Sequence, residues 1–423
     1  MKLVRAGICC LLAFAVVSFG AVEEWSQAVL QIGAATLLIL WTVRTYQFKS
    51  EQVAIPEEVL PLVVLTLVVA VQWIFRLTAV RYYTRVELQL LVTYVIVVFL
   101  MAQAFSRRSH WRNFMWFLMT LGFVISIFGI LQHLTFNGKL YWFRVLRFGG
   151  IPFGPYVNRN HFAGFAEMII PVALVPLVLG KVRRERMFLV GILAVVPIVA
   201  LFLSASRGGI VSFLVQMMVL FGLLLIRRVR GRAVLVGGFV LLCGILLVSW
   251  LGVQQVLERF TTKQNLEVSL AKRAAMRRDT FQIFLDHPIV GTGLGTLEAI
   301  YPPYDTLYDG KVVNHTHNDY LEALAETGIL GGLCWLWFLG VVFRESLKGL
   351  QDLGASFGSV LNLTGLTACT GILVHSLVDF NLHIPANALL FFVSAHMAVV
   401  RLEPIDQGAE DNGGLRRRRK RKQ

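Results

Sequence analysis

Residues 315–332 read HTHNDYLEALAETGILGG, and within them a polar segment passes into an apolar run. Two histidines, one asparagine and three carboxylates lie within the first twelve residues of this segment, where the apolar run begins. Ionisable side chains are costly to keep at the start of a membrane helix, so their presence indicates a function. His317 falls on the first turn of the expected helix, where an imidazole can exchange protons near neutral pH.

A zinc site that uses His315 and His317 is the rival interpretation of this segment. The His-x-His spacing lacks the glutamate and the i+4 histidine of the helical zinc motifs. We therefore expect neither a metal nor a cofactor. An ordinary hydrogen-bonded histidine at a helix cap is a further alternative.

The composition is that of a membrane protein. Hydrophobic residues make up 56% of the 423-residue chain, charged residues make up 15%, and the mean hydropathy is +0.67. Apolar runs long enough to cross a hydrocarbon core of roughly 30 Å recur along the sequence, and in lipid they must be helices because the backbone has to satisfy its own hydrogen bonds. They lie at about residues 5–22, 26–43, 59–75, 87–105, 113–133, 161–180, 187–204, 209–226, 233–252, 319–342, 358–377 and 386–400.

The chain is therefore predicted to be an all-α integral membrane protein with about twelve transmembrane helices and one large loop domain. Lys and Arg cluster on alternate connections, which by the positive-inside rule places both termini in the cytoplasm and the large loop outside. The basic run at residues 416–422 is expected to meet the anionic leaflet rather than nucleic acid. The predicted divisions are an N-terminal transmembrane scaffold (1–133), central helices with an arginine motif (134–252), the outer loop domain (253–318), C-terminal helices (319–400) and a basic cytoplasmic tail (401–423).

Several basic residues on the outer side indicate an acidic substrate. Arg207 lies between two closely spaced apolar runs, where a fixed guanidinium can hold phosphate in a forked geometry. A structural bond to backbone carbonyls is the alternative. In the loop domain, six Lys and Arg side chains lie between Arg259 and Arg278, among them Arg273 and Arg277.

Two polar segments beside later apolar runs are further candidates. Arg159 and Asn160 begin the sixth run, where free N–H groups favour an anion, although simple helix capping by Asn160 is an equal alternative. Asp379 and His383 stand between the last two runs. They could line a cavity, and structural pairing within the bundle is an equal alternative.

Four motifs in order give the sequence a resemblance to a known family. They are Asn158–Ala163 at the start of a helix, Ser206-Arg207-Gly208, Arg273 before Asp286-His-Pro-Ile-Val-Gly-Thr-Gly-Leu-Gly295, and His317-Asn318 followed after nine residues by Gly328 and after two more by Gly331. Over roughly residues 150–345 the chain resembles the bacterial O-antigen ligase and O-antigen polymerase superfamily. Arg277 departs from the pattern, because it stands where the family often has tryptophan.

The resemblance implies a membrane glycosyltransferase with an all-helical, glycosyltransferase-C-like fold in the bacterial inner membrane. It implies transfer of a glycan from undecaprenyl diphosphate to an acceptor on the periplasmic face, without metal or nucleotide sugar. By resemblance, His317 is the catalytic histidine, Arg207 and Arg273 are the essential arginines, and Asn318 orients the imidazole. The residues expected to bind substrate are Asn318, His315, Asn160, Arg159, Arg277 and Arg278.

We predict a metal-independent, inverting O-antigen ligase that uses lipid A core as the acceptor, with membrane lipids as its surroundings and no nucleic-acid partner. An O-antigen polymerase or a protein O-oligosaccharyltransferase of the same superfamily is the first alternative. Both need the same residues to bind the diphosphate and the same general base. A transporter of an anionic solute or lipid is less favoured. The sequence contains no repeated half and no matching pair of broken helices.

Overall fold

The computed structural model of the protein describes residues 1–48, 53–146, 151–227, 263–308, 310–351 and 356–402, together with the single positions 238 and 353. For residues 263–270 it describes the backbone alone. The predicted ninth membrane span, at 233–252, and the tail from residue 403 onward lie outside the described residues, apart from position 238.

The described part of the chain is built from helices, and no β-strand occurs within it. In chain order the helices are α1 (Lys2–Val17), α2 (Glu24–Phe48), α3 (Val59–Ile74), α4 (Arg81–Ala104), α5 (Arg108–Leu134), α6 (Arg159–Val178), α7 (Met187–Leu203), α8 (Arg207–Ile226), α9 (Lys263–Asp286), α10 (Leu297–Ile300), α11 (Asp319–Gly349), α12 (Phe357–His375) and α13 (Pro385–Val399). Single 3₁₀ turns lie at Phe19–Ala21, Arg184–Arg186, Pro302–Tyr304 and Asn381–His383.

Eight of the described helices are long and apolar enough to cross a membrane: α2, α4, α5, α6, α7 with its preceding 3₁₀ turn, α8, α11 and α12. Two shorter apolar helices, α3 and α13, and the 16-residue α1 lie where three further spans are predicted. The prediction of an all-helical, multi-pass membrane protein is confirmed. The count of twelve spans and the sidedness of the termini stay predictions.

Helices α6 and α12 form the centre of the bundle. The apolar stretch of α6 is buried along its whole length, and α12 packs against α6, α8 and α13. Small residues allow this close approach: a Cβ on Gly365 of α12 would collide with the backbone of α13 at Ser394 and Ala398. The central helices are therefore held rigidly, and they carry the polar ends described below.

Helix α11 is interrupted at Gly328, where φ is 61° and ψ is −167°. The segment after α9 docks into this break: the amide of Ile329 donates to the carbonyl of Pro288 at 2.8 Å, and the amide of Gly293 donates to the carbonyl of Glu326 at 2.9 Å. A Cβ on Gly328 would meet the backbone of Ile289. Gly291 and Gly328 are thus the points where the loop and helix backbones touch, because a Cβ on Gly291 would meet the backbone of Glu326.

The buried carboxylate of Glu326 completes this junction. Its two oxygens accept hydrogen bonds from the backbone amides of Gly295 (2.8 Å) and Leu297 (2.9 Å). Gln72 of α3 reaches the same place and donates to the carbonyls of Val290 and Glu326 at 2.6 and 2.9 Å. The segment after α9 is therefore fixed to the N-terminal part of α11, the helix that His317 precedes.

Candidate active site

The short turn between α12 and α13, residues 376–384, organises the site. Its Asp379 is almost fully buried and accepts three hydrogen bonds through its two carboxylate oxygens. Oδ1 accepts from Nδ1 of His317 at 3.1 Å and from the amide of Phe380 at 2.9 Å, while Oδ2 accepts from Nδ2 of Asn160 at 2.5 Å. Asp379 thus links the starts of α6 and α11.

The surroundings of Asp379 favour its ionised form. Burial by itself would raise the pKa of this carboxyl, but the hydrogen bond and charge of His317, with smaller contributions from His161 and His375, hold the pKa well below its ordinary value. A carboxylate that stays ionised keeps accepting the Nδ1 proton of His317. In the neutral ring, this hydrogen bond places the proton on Nδ1 and leaves Nε2 as the acceptor.

His317 lies immediately before α11, and its side chain is one-quarter exposed. Its φ of 53° is in the left-handed region, which non-glycine residues rarely adopt and which often marks functional sites. Among the described residues, Nε2 of the ring has no hydrogen-bond partner. This nitrogen is therefore free to accept a proton from a bound molecule.

The side-chain hydrogen bonds of Asn318 do not go to the imidazole that it is expected to orient. Its Oδ1 accepts from the amide of Leu321 at 3.0 Å and caps α11, and its Nδ2 donates to the carbonyl of Leu377 at 3.1 Å. Ring orientation comes instead from Asp379, across 62 residues of sequence. The sequence indicates Asp379 only as a residue that could line a cavity or pair within the bundle, because its partner lies far away along the chain.

Arg207 is the first residue of α8, where Ser206 caps the helix by accepting the amide of Gly209 at 3.1 Å. The neighbouring Gly208 packs directly against the turn: a Cβ there would lie 2.9 Å from Nε2 of His375 and 3.1 Å from Val378. The half-buried guanidinium of Arg207 has no partner within the described part of the protein. It is available to an anion.

Arg273 of α9 reaches the same turn. Its Nη1 donates to the carbonyl of Val378 at 3.0 Å, which places the guanidinium beside the residue that precedes Asp379. The structure therefore brings Arg207, Arg273 and His317 to one turn, although they come from three separate regions of the sequence. A histidine and two arginines that meet at one turn can act on a substrate that carries an anionic group.

The other expected substrate ligands differ in their positions. Arg277 stays near Arg273 and donates from Nε to that residue's carbonyl at 3.2 Å. Arg278 points to the segment after the Pro302–Tyr304 turn, where it donates a hydrogen bond to Thr306, and it pairs with Asp279 at 3.5 Å. Arg159 is the half-buried first residue of α6.

The polar residues at the start of α6 have separate tasks. Asn158, not Asn160, caps the helix by accepting the amide of Asn160 at 2.9 Å. The side chain of Asn160 is thereby left for Asp379. His161 is buried, with its ring 4.7 Å from that of Phe380.

A second polar cluster lies on the other side of Phe380. Nδ1 of His315 is 2.6 Å from Oε1 of Glu322, and Nδ1 of His383 is 2.8 Å from Oδ1 of Asp319. Burial disfavours a charged imidazole, but Glu322 and Asp319 outweigh it and raise the pKa of His383 well above its ordinary value. His315 and His317 thus have different carboxylate partners and do not act as a pair.

A third pair, Glu167 and His375, is completely buried beneath Gly208 and Gly209, with Oε1 and Nδ1 3.0 Å apart. Glu167 is a residue that the analysis of the sequence missed. A lone glutamate within an apolar membrane-spanning helix is a recognisable signal for a buried polar site.

Together these features define an all-helical, multi-pass membrane protein with a histidine-centred site at the starts of α6, α8 and α11. Residues 168–336 match the family described as O-antigen ligase, so the resemblance to the O-antigen ligase and polymerase superfamily is confirmed over that segment. Arg207, Arg273 and His317 all lie within the match, whereas Asn160 and Asp379 lie outside it. A search of curated proteins finds no match to the chain.

Proposed function

We propose that this protein is an O-antigen ligase-type glycosyltransferase, which moves a glycan from undecaprenyl diphosphate to lipid A core at the periplasmic face of the inner membrane. The observation that carries the proposal is the His317–Asp379 hydrogen bond of 3.1 Å, next to a turn that also receives Arg273 and the start of α8. The O-antigen ligase match over residues 168–336 supports the same class of reaction.

The two arginines suit the donor. A lipid diphosphate is an anionic leaving group already attached to the sugar, so its negative charge grows as the glycosidic bond breaks. Arg207 and Arg273 would hold and neutralise that charge, and removing one such preorganised donor typically costs about 10²–10³ in rate. The forked guanidinium matches two phosphate oxygens at once, which a lysine does not.

His317 would act as the general base. Its free Nε2 accepts the proton of the acceptor hydroxyl, and the oxygen forms a bond to the anomeric carbon as the bond to the diphosphate breaks. The products are the glycosylated acceptor, undecaprenyl diphosphate and one proton on the imidazole. A single displacement of this kind inverts the anomeric configuration.

Asp379 and Asn160 are positioning residues in this scheme. The carboxylate holds the Nδ1 proton of His317 and stabilises the imidazolium that forms, as carboxylates do in other histidine-centred sites. Asn160 fixes the second carboxylate oxygen at 2.5 Å. The polar start of α6 therefore has a function beyond capping.

The acceptor distinguishes ligation from its alternatives. The purified protein in lipid discs would receive a labelled undecaprenyl diphosphate glycan with lipid A core, with a second lipid-linked glycan, or with an acceptor peptide. We expect the label to appear in lipid A core. Label that appears only in longer lipid-linked glycan, or only in peptide, would make the protein a polymerase or an oligosaccharyltransferase instead.

Variants test the assigned residues in the same assay. His317→Ala should lower transfer by about 10²–10⁴, the usual contribution of a general base, and Arg207→Ala should lower it by about 10²–10³. Arg183→Ala is the matched control, because this arginine is exposed on the α6–α7 connection. Full transfer by His317→Ala would remove the base from the scheme.

A further inference from the structure

We propose that His315, Glu322 and His383 form a binding site for one divalent transition-metal ion, with Zn²⁺ as the best-fitting ion. One ligand atom from each residue lies within 4.8 Å of the others. The sequence gives little sign of this set, because His383 is far from the other two residues along the chain. The site does not depend on the proposed transfer reaction.

The distances are close to those of a coordinated ion. Zn–N and Zn–O bonds of roughly 2.0–2.1 Å in a tetrahedral site put neighbouring ligand atoms about 3.3 Å apart. Nε2 of His383 is 3.3 Å from Oε1 of Glu322, and Nδ1 of His315 is 2.6 Å from the same oxygen. A small rotation of His315 would open the shorter distance.

A second set of contacts already orients the ligands. Metal-binding histidines usually give their other ring nitrogen to a carboxylate, and Nδ1 of His383 is held by Asp319 at 2.8 Å. The other oxygen of Asp319 accepts the amide of Leu382 at 3.2 Å. In Glu322, Oε2 accepts the amide and hydroxyl of Thr316 at 2.9 and 3.1 Å, so Oε1 faces the two histidines.

The charge and access of the site also suit a cation. Glu322 is 1% exposed, whereas the side chains of His315 and His383 are 28% and 16% exposed. One side of the cluster is therefore open to an entering ion and to a fourth ligand. Two imidazoles with one carboxylate and an open position form a ligand set typical of zinc.

The expected effect of the ion is positional. His315 stacks on Phe380 with ring centroids 4.2 Å apart, and His317 packs on the same ring edge-on at 5.0 Å. The ion would join the segment before α11, through His315, to the turn between α12 and α13, through His383. It would not contact His317. It would tighten the segment that holds His317 at positive φ.

Metal binding can be measured without glycan transfer. Full-length protein purified without a histidine tag, stripped with chelator and exchanged into metal-free buffer, would be titrated with ZnCl₂. Bound zinc would be counted by mass spectrometry, and the thermal unfolding temperature would be followed. We expect one zinc per chain and an unfolding temperature that rises with zinc concentration, because the ion binds the folded state.

Variants locate the ion. His315→Asn and His383→Asn should each weaken zinc binding by at least about 100-fold, and Asp319→Asn by about 10–100-fold, the range found for residues that orient metal ligands. His317→Asn is the matched control and should bind zinc like the parent chain. His315 is partly exposed, so its variant stays informative if substitutions in the buried part impair folding.

Three results would overturn the proposal. They are zinc bound at less than a tenth of one equivalent, zinc that survives both His315→Asn and His383→Asn, and equal loss of zinc in His317→Asn. In the first case the cluster is a hydrogen-bonded histidine–carboxylate network alone. Because none of these readouts involves glycan, their failure leaves the proposed transfer reaction unaffected.

Discussion

Replacement of Asp379 by asparagine gives the sharpest test of the histidine-centred site. Asp379 receives three N–H donors, from His317, Phe380 and Asn160. Asparagine keeps one acceptor oxygen and has an NH₂ group in place of the other, and in either orientation it lacks the negative charge that stabilises the imidazolium of His317. If the NH₂ group faces His317, the ring takes the other tautomer, and Nε2 then carries the proton.

The expected loss follows from that tautomer. A histidine protonated at Nε2 cannot accept the acceptor's proton, so transfer should fall by about 10²–10⁴, which corresponds to roughly 3–5 kcal/mol of transition-state stabilisation. Because the oxygen-for-nitrogen exchange hardly changes side-chain volume, the buried turn should keep its packing. We therefore expect a fall in kcat with little change in KM for either substrate.

The assay is transfer of labelled glycan by purified protein in lipid discs, with thermal unfolding measured on the same samples. Asp286→Asn is the matched control, because Asp286 is an exposed acid of the loop domain that bonds Tyr304 and Gln282. It should keep activity within about twofold. Parent-level transfer by a folded Asp379→Asn variant would refute the argument that Asp379 sets the tautomer of His317.

Three further predictions concern neighbouring parts of the site. Asn160→Ala should lower transfer by about 10–100-fold, because a hydrogen bond to a charged group contributes about 1.5–3 kcal/mol; an unchanged rate would leave Asn160 without a role. Arg273→Lys should weaken donor use by a similar factor, seen as a raised KM for the lipid-linked glycan, since lysine lacks the fork; a KM equal to that of the parent would count against a diphosphate contact. Gly328→Ala should destabilise the docked loop by about 1–3 kcal/mol, measured by denaturant unfolding or by proteolysis after α9, because φ is positive and Ile289 is in contact. Gly340→Ala in the same helix meets nothing within 4 Å and should be neutral or stabilising, so equal effects of the two substitutions would contradict that reason.

The helices could be predicted from the sequence because the length of an apolar run is a local property of the sequence. The apolar runs and the start of α11 near His317 follow from composition and periodicity alone. The break at Gly328 could not be predicted in this way. The break exists because the backbone of residues 288–293 forms hydrogen bonds with α11 in place of bonds within the helix. These two segments meet only in the folded protein.

The same distinction applies to the site. His317, Arg207 and Arg273 stand out locally, as ionisable groups at helix starts or in a basic loop. Their relation to Asp379 does not stand out, since it is made by the turn between α12 and α13, 62 residues beyond His317. The separation of His315 from His317 likewise depends on their partners. His315 contacts Glu322, seven residues away, whereas His317 contacts Asp379, 62 residues away.

We propose that His317, held by Asp379 and with two arginines nearby, promotes transfer of a glycan from a lipid diphosphate by direct displacement. The most direct measurement is the product of one reaction of the purified protein with a donor of known anomeric configuration and lipid A core, analysed by NMR. We predict a glycosylated core of inverted configuration, with one undecaprenyl diphosphate released for each bond formed. A product of retained configuration, or glycan transfer that persists in His317→Ala, would contradict it.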